Sequence, residues 1–298
     1  MKFNRFGNMM PPEASKKHPY LLWREPFQIA GNLYFVGNLW CSSHLINTGD
    51  GLILLDTPCA SALPGLVGGI CKLGFRLQDL KYIVVSHAHP DHYGAVNALV
   101  HLTGAKTFLG EVDAQDMREN PDRLQGMNLT LDPFNESFVP DVELRDGDIV
   151  ELGNTRMRCV LTPGHTKGVM SHFWELEDHG VVRRVGIYGG AGFAALSKEK
   201  LKRNGLPMSL REQFLTSLDK VWDEKVDIML GNHPFHNDTY QKRRRVLNGE
   251  KDAFVDPSEW TRFMTELKTL YQEFLTLSLE EVTRIYSTSQ WEMYYGED

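Results

Sequence analysis

The sequence predicts an α/β (α+β) fold, a four-layer αββα sandwich, and three observations carry that reading. Strand-like and helix-like periodicities alternate along the chain. The run KYIVVS (Lys81–Ser86) is continuously apolar, as in a strand covered on both faces. An order of strands, then a helix, then a strand whose end carries a histidine occurs twice, so two similar layers can close on one another.

The elements follow in chain order. Residues 1–26, interrupted by Pro11, Pro12, Pro19 and Pro26, read as an irregular arm, and 27–298 as one domain ending in C-terminal helices. FQIAGNLYFVGN and HLINTGDGLILLDT read as an antiparallel meander, with a hairpin signal at Gly49-Asp50-Gly51. The period then changes: Leu63, Leu66, Val67, Ile70 and Leu73 share a helical face that Gly74 closes. After KYIVVS a second helix, YGAVNALVHLTG, begins beyond a loop. Asp113 to Leu144 is polar, holds Pro121, Pro133 and Pro140, and reads as a long connection over the sheet. TRMRCVLTPGH, MSHFWELE and VRRVGIYGG are strand-like, LREQFLTSLDKVW is helical, and VDIMLGNHP is a strand. Near the end, Trp260, Phe263, Met264, Leu267, Leu270, Tyr271 and Phe274 recur at helical intervals as a core or interface face.

Composition narrows the function classes. With 42 % hydrophobic and 24 % charged residues in 298, the chain can bury a large core. A net charge of −7 opposes a polyanionic partner, so no nucleic acid is expected, and QKRRRVLNGEK reads as a solvated helix face. No apolar run approaches the ~20 residues that span a bilayer, so no membrane role is expected. No export signal is visible, which predicts a cytoplasmic protein, or a periplasmic or secreted one if a leader has been removed. Cys41, Cys59, Cys71 and Cys159 lack CxxC spacing and read as buried thiols.

The chemistry concentrates in SHAHPDH, at the carboxyl end of the KYIVVS strand, where layered α/β folds place their ligands. His87 and His89 can point two imidazoles at one metal ion. Asp91 and His92, beyond the stiffening Pro90, cannot converge on that same ion and would face a second, about 3.5–4 Å away. Two ligands hold an ion poorly, so further donors are expected at other strand ends. His165 in VLTPGHTKG and His233 in DIMLGNHP both follow apolar strands, and would complete the first and second ions respectively. His18, His44, His101, His172, His179 and His236 lack this context and read as packing or surface residues, with His172 and His236 near enough in sequence to line the pocket.

SHAHPDH, TPGHTKG, LLDTP and GNHP together resemble the metallo-β-lactamase superfamily, over about Phe27 to Pro257. That resemblance implies the αββα sandwich with a two-metal site between the sheets, and gives Asp56 a supporting place behind the metal loop. Many members bridge their metals with an aspartate at a later strand end, whereas this chain has Gly189, Gly190, Ala191 and Gly192 there. His92 and the flanking text PFQIAGNLYFVG, KLGFRLQDLKYIVVSHAH and LTGAKTFLG resemble the subclass B3 metallo-β-lactamases. By this resemblance two zinc ions are held, Zn1 by His87, His89 and His165, and Zn2 by Asp91, His92 and His233; iron and manganese suit the same donors. The serines that B3 enzymes place near the YGGAGF strand end are replaced by Ala191 and Phe193.

The expected activity is hydrolysis of a small-molecule substrate of the β-lactam type by a hydroxide shared between the metals, with Asp91 orienting the nucleophile. An ester, lactone or thioester is the alternative substrate class. A noncatalytic metal-binding protein is the alternative of another kind, opposed by ligand sets of three, none of them cysteine, that leave coordination positions open.

Overall fold

A computed structural model describes residues 6, 9–287, 291 and 295. Among the described residues, twelve strands form two sheets. The first has seven, in the order β1 to β7: Phe27–Ala30, Leu33–Phe35, His44–Asn47, Leu52–Leu55, Leu80–Val84, Lys106–Gly110 and Val142–Leu144. The second has five: β8 Ile149–Leu152, β9 Thr155–Leu161, β10 Met170–Asp178, β11 Val181–Ile187 and β12 Ile228–Leu230, in the order β12-β11-β10-β9-β8.

The expected meander is β1 to β4, antiparallel throughout, with Leu45 opposite Leu54. From β4 to β7 the pairing becomes parallel, because helices Leu63–Lys72 and Val96–Thr103 carry the chain back between strands. The KYIVVS strand, β5, lies between β4 and β6. In the second sheet the β9-β10-β11 meander is antiparallel and β12 joins β11 in parallel after helix Leu210–Lys220.

Side-chain alternation along the strands makes the layers. On β4, Ile53 and Leu55 join Met157, Trp174, Ile187 and Leu230 of the other sheet in the core between the sheets. Leu52 and Leu54 turn the opposite way, onto Leu66, Ile70, Val96 and Leu99 of the helices outside the first sheet. On the far side, Val160 and Phe173 meet Phe214, Leu218 and the C-terminal helix Glu259–Thr276. All seven apolar residues of that helix named from its periodicity are buried. Three apolar interfaces separated by two sheets are the αββα sandwich.

Four readings need correction. The stretch from Asp113 to Leu144 is largely helical, in Glu111–Glu119 and Pro121–Leu131, followed by β7. Its buried face includes Asp113, Asp116 and Asn128, so no apolar stripe announced it. The arm has local order, a helical turn at Ala14–Lys17 and a 3₁₀ turn at Pro19–Leu22, and Phe6 is packed in the core. Cys71 is exposed; the other three cysteines are buried, and all four are free. The basic run lies on helix Thr239–Leu247, where Arg244 and Arg245 belong to the polar last turn but Lys242 is buried against Glu259. No helix among the described residues is long and apolar enough to cross a membrane.

Candidate metal centre

The six sequence-predicted donors gather at one end of the sandwich, on loops that leave β5, β9 and β12. His87, His89, Asp91 and His92 occupy the turn after β5, which enters a short helix at Pro90–Tyr93. His165 sits between β9 and β10, and His233 directly follows β12. One ligand atom from each of His87, His89 and His165 lies within 4.8 Å of the others. His89 Nδ1 is 2.9 Å from His165 Nε2. Asp91 Oδ2 lies 3.6 Å from both His92 Nε2 and His233 Nε2.

Hydrogen bonds at the back of the rings choose the tautomers. Ser86 gives its hydroxyl proton to Asp56 Oδ2 at 2.8 Å, so its oxygen accepts from His87 Nδ1 at 3.0 Å and leaves the His87 Nε2 lone pair facing the site. His92 Nδ1 donates to Asp56 Oδ2, His165 Nδ1 to the Gly192 carbonyl, and His233 Nδ1 to the Trp40 carbonyl at 2.5 Å. Each of those rings therefore presents its Nε2 lone pair. The Nε2 atoms of His87 and His92 are buried and have no hydrogen-bond partner among the described residues, so these donors fit a cation.

Burial keeps these imidazoles neutral, the form that ligates. It pushes His165 and His233 down to about 4, and His87 and His89 well below the usual histidine range. His92 goes the other way: burial would lower it, but the carboxylates of Asp91 and Asp56 raise it. Asp91 itself is buried, which favours its neutral form, yet His92 and His233 hold it below the usual carboxylate range.

The supporting residues come from distant segments. Asp56, with φ of 60°, holds the His87–His92 loop through the Ser86 N–H at 2.7 Å as well as through the Ser86 hydroxyl and His92. Asp113 was missed: its carboxylate accepts from the N–H groups of Ala88 at 2.8 Å and Gly168 at 2.6 Å and from the Thr166 hydroxyl at 2.6 Å, joining the His87–His89 and His165 loops. Gly190 and Gly192 leave no ligand at the β11 end but make room for His165; a Cβ on Gly190 would stand 2.8 Å from the His165 Cβ. Cys41 was also missed. It lies in the β2-β3 loop, and its Sγ, Asp91 and His233 form a second group with ligand atoms within 4.8 Å of one another. No spacing motif announces either residue.

Above the donors opens a cleft of about 500 Å³. His89, Asp91, His165 and His233 form its floor, Met9, Met10, Trp40, Leu131 and Phe235 its apolar wall, and Lys200 adds a cationic side chain. His236 lines it, as its position suggested; His172 is buried away from it.

A profile of the metallo-β-lactamase superfamily matches residues 37–181. The native FEZ-1 metallo-β-lactamase of Legionella gormanii superimposes with a TM-score of 0.77 at 30 % identity, over 85 % of this chain and 96 % of that one. This chain belongs to the metallo-β-lactamase superfamily. BJP-1, a subclass B3 metallo-β-lactamase of Bradyrhizobium japonicum, is also similar, with a TM-score of 0.75 at 28 % identity over 89 % of this chain and 97 % of that one. The probable polyketide biosynthesis zinc-dependent hydrolase PksB of Bacillus subtilis is also similar, 30 % identical over 98 residues. That match takes in 32 % of this chain and spans only about a third (35 %) of PksB.

Proposed function

We propose that this protein is a two-metal hydrolase acting on a small molecule, with a β-lactam or similar cyclic amide as the leading substrate class. The observation that carries the reading is the pairing of two adjacent donor groups, buried from behind and open in front to a cleft of about 500 Å³. His87, His89 and His165 would hold one ion, and Asp91, His92 and His233 the other. Zinc suits imidazole and carboxylate donors, as do iron and manganese. Such a pair supplies Lewis acidity and a water acidic enough to act as a nucleophile at neutral pH.

The chain's own residues account for the rest. Asp91 reaches the cleft floor and is positioned to accept a hydrogen bond from an attacking water and orient it. The apolar wall of Met9, Met10, Trp40, Leu131 and Phe235 excludes water from around a bound ring and strengthens the field of the charged floor. Lys200 stands where a cation would attract a substrate carboxylate, a role that the absent serines would leave unfilled.

A second reading, an ester, lactone or thioester substrate, is favoured by one observation. Ala191 and Phe193 are buried in the core and give the β11 end no hydroxyl with which to bind a carboxylate. Metal analysis of purified protein, paired with turnover of a chromogenic cephalosporin, a carbapenem and simple lactones and thioesters, separates the two. Turnover of none of them by protein carrying two ions would remove the catalytic reading.

A further inference from the structure

One donor in the site is used neither by the histidine spacing nor by the two-ion reading. Cys41 is fully buried, and its Sγ lies 4.0 Å from Asp91 Oδ2. With an Asp91 oxygen and a His233 nitrogen it completes a group whose ligand atoms all fall within 4.8 Å of one another. The loop that carries it is locked. Asn38 Oδ1 accepts from the N–H groups of Trp40 and Cys41, each at 2.8 Å, the Asn38 N–H donates to the Cys41 carbonyl at 2.9 Å, and the next N–H, of Ser42, donates to the Asn232 carbonyl at 2.8 Å. The Trp40 carbonyl accepts from His233 Nδ1, so the dipeptide that presents the thiol also aims the His233 ring. Next to Asp91, 3.6 Å from its Oδ2, is the His92 Nε2, fully buried and without a hydrogen-bond partner among the described residues.

We propose that Cys41 is a ligand of the second ion, its thiolate standing beside Asp91, His92 and His233. The inference rests on the two-ion reading and deepens it. On binding, the thiol gives its proton to solvent and its sulfur lone pair to the ion. Sulfur is a soft donor and selects zinc over manganese or magnesium, which narrows a choice that imidazole and carboxylate leave open. It also makes the two positions unequal. Four protein donors hold the second ion, whereas three imidazoles hold the first and leave a position for water.

The test is cobalt(II) titration of the metal-free full chain, read by absorption rather than by turnover. Two equivalents should bind, with visible d–d bands, and filling of the second position should bring a near-ultraviolet sulfur-to-cobalt charge-transfer band. That band should vanish in Cys41→Ser and Cys41→Ala while persisting in Cys59→Ser. Two bound equivalents without the band in the native protein would overturn Cys41 ligation and leave the two-ion reading standing. A band that survives in both Cys41 variants would assign the sulfur elsewhere and overturn it too. Binding of one equivalent or none would overturn both readings. Because the native protein alone shows whether the band exists, a variant that folds poorly does not shield the proposal.

Discussion

Asp56 Oδ2 accepts two hydrogen bonds at once, from His92 Nδ1 at 3.0 Å and from the Ser86 hydroxyl at 2.8 Å. One buried oxygen thus fixes the His92 ring directly, and the His87 ring through Ser86. Asp56→Asn keeps the shape but removes the charge and offers one acceptor oxygen in place of two. Metal affinity at both positions is expected to fall roughly 10–100-fold. Competition with a chromophoric chelator measures it, and an unchanged affinity would show that Asp56 serves the fold alone.

Asp113 ties the His87–His89 and His165 loops together through three hydrogen bonds that it accepts, while burial pushes its carboxyl up to about 6 against them. Asp113→Ala leaves the N–H groups of Ala88 and Gly168 and the Thr166 hydroxyl without their acceptor. A stability loss of about 3 kcal/mol is expected from these stranded donors. Urea denaturation checks it, and a loss below about 1 kcal/mol would mean that water replaces the carboxylate.

Gly190 is the wall behind His165. In Gly190→Ala the new methyl meets the His165 Cβ at 2.8 Å, so the ring must shift from its place beside His87 and His89. The expected outcome is weaker binding at the three-imidazole position, at least about tenfold, with the other position little changed. Stepwise metal titration by calorimetry distinguishes this from an equal effect on both.

His172 on β10 is buried with neither ring nitrogen hydrogen-bonded among the described residues, and burial pushes it down to about 4. In the unfolded chain it titrates near 6.5. Between those values the unfolded state binds a proton that the folded state refuses, so stability falls as the pH falls from 6.5 toward 4. His172→Leu removes this contribution. The variant is expected to lose about 2 kcal/mol less than the native protein between pH 6.5 and 4.5, in denaturant titrations of metal-free protein. Parallel pH profiles would refute the assignment.

The histidine-bearing strand ends were legible in the sequence because each pairs a short apolar run with a histidine just beyond its close. β5 with His87 and His89, and β12 with His233, are of this kind. The helices at Glu111–Glu119 and Pro121–Leu131 were not legible, because polar residues satisfied by remote partners interrupt their inward faces: Asp113 and Asp116 are buried beside Ala114 and Met117 on the first, and Asn128 is buried on the second. Asp116 meets Lys167 at 2.6 Å, and Asn128 Oδ1 accepts from the Tyr93 hydroxyl at 2.8 Å. Cys41 and Asp113 were hidden for the same reason: their surroundings are made by segments dozens of residues away, such as Asp91 for Cys41 and Gly168 for Asp113.

The donors His87 to His92 follow a strand of the seven-stranded sheet, while His165 and His233 follow strands of the five-stranded one. An ion held at either proposed position would therefore act as a removable rivet between the two halves of the polypeptide. Chelation should let the halves part more readily and expose the layer between them to protease, well before either half has lost its own strands.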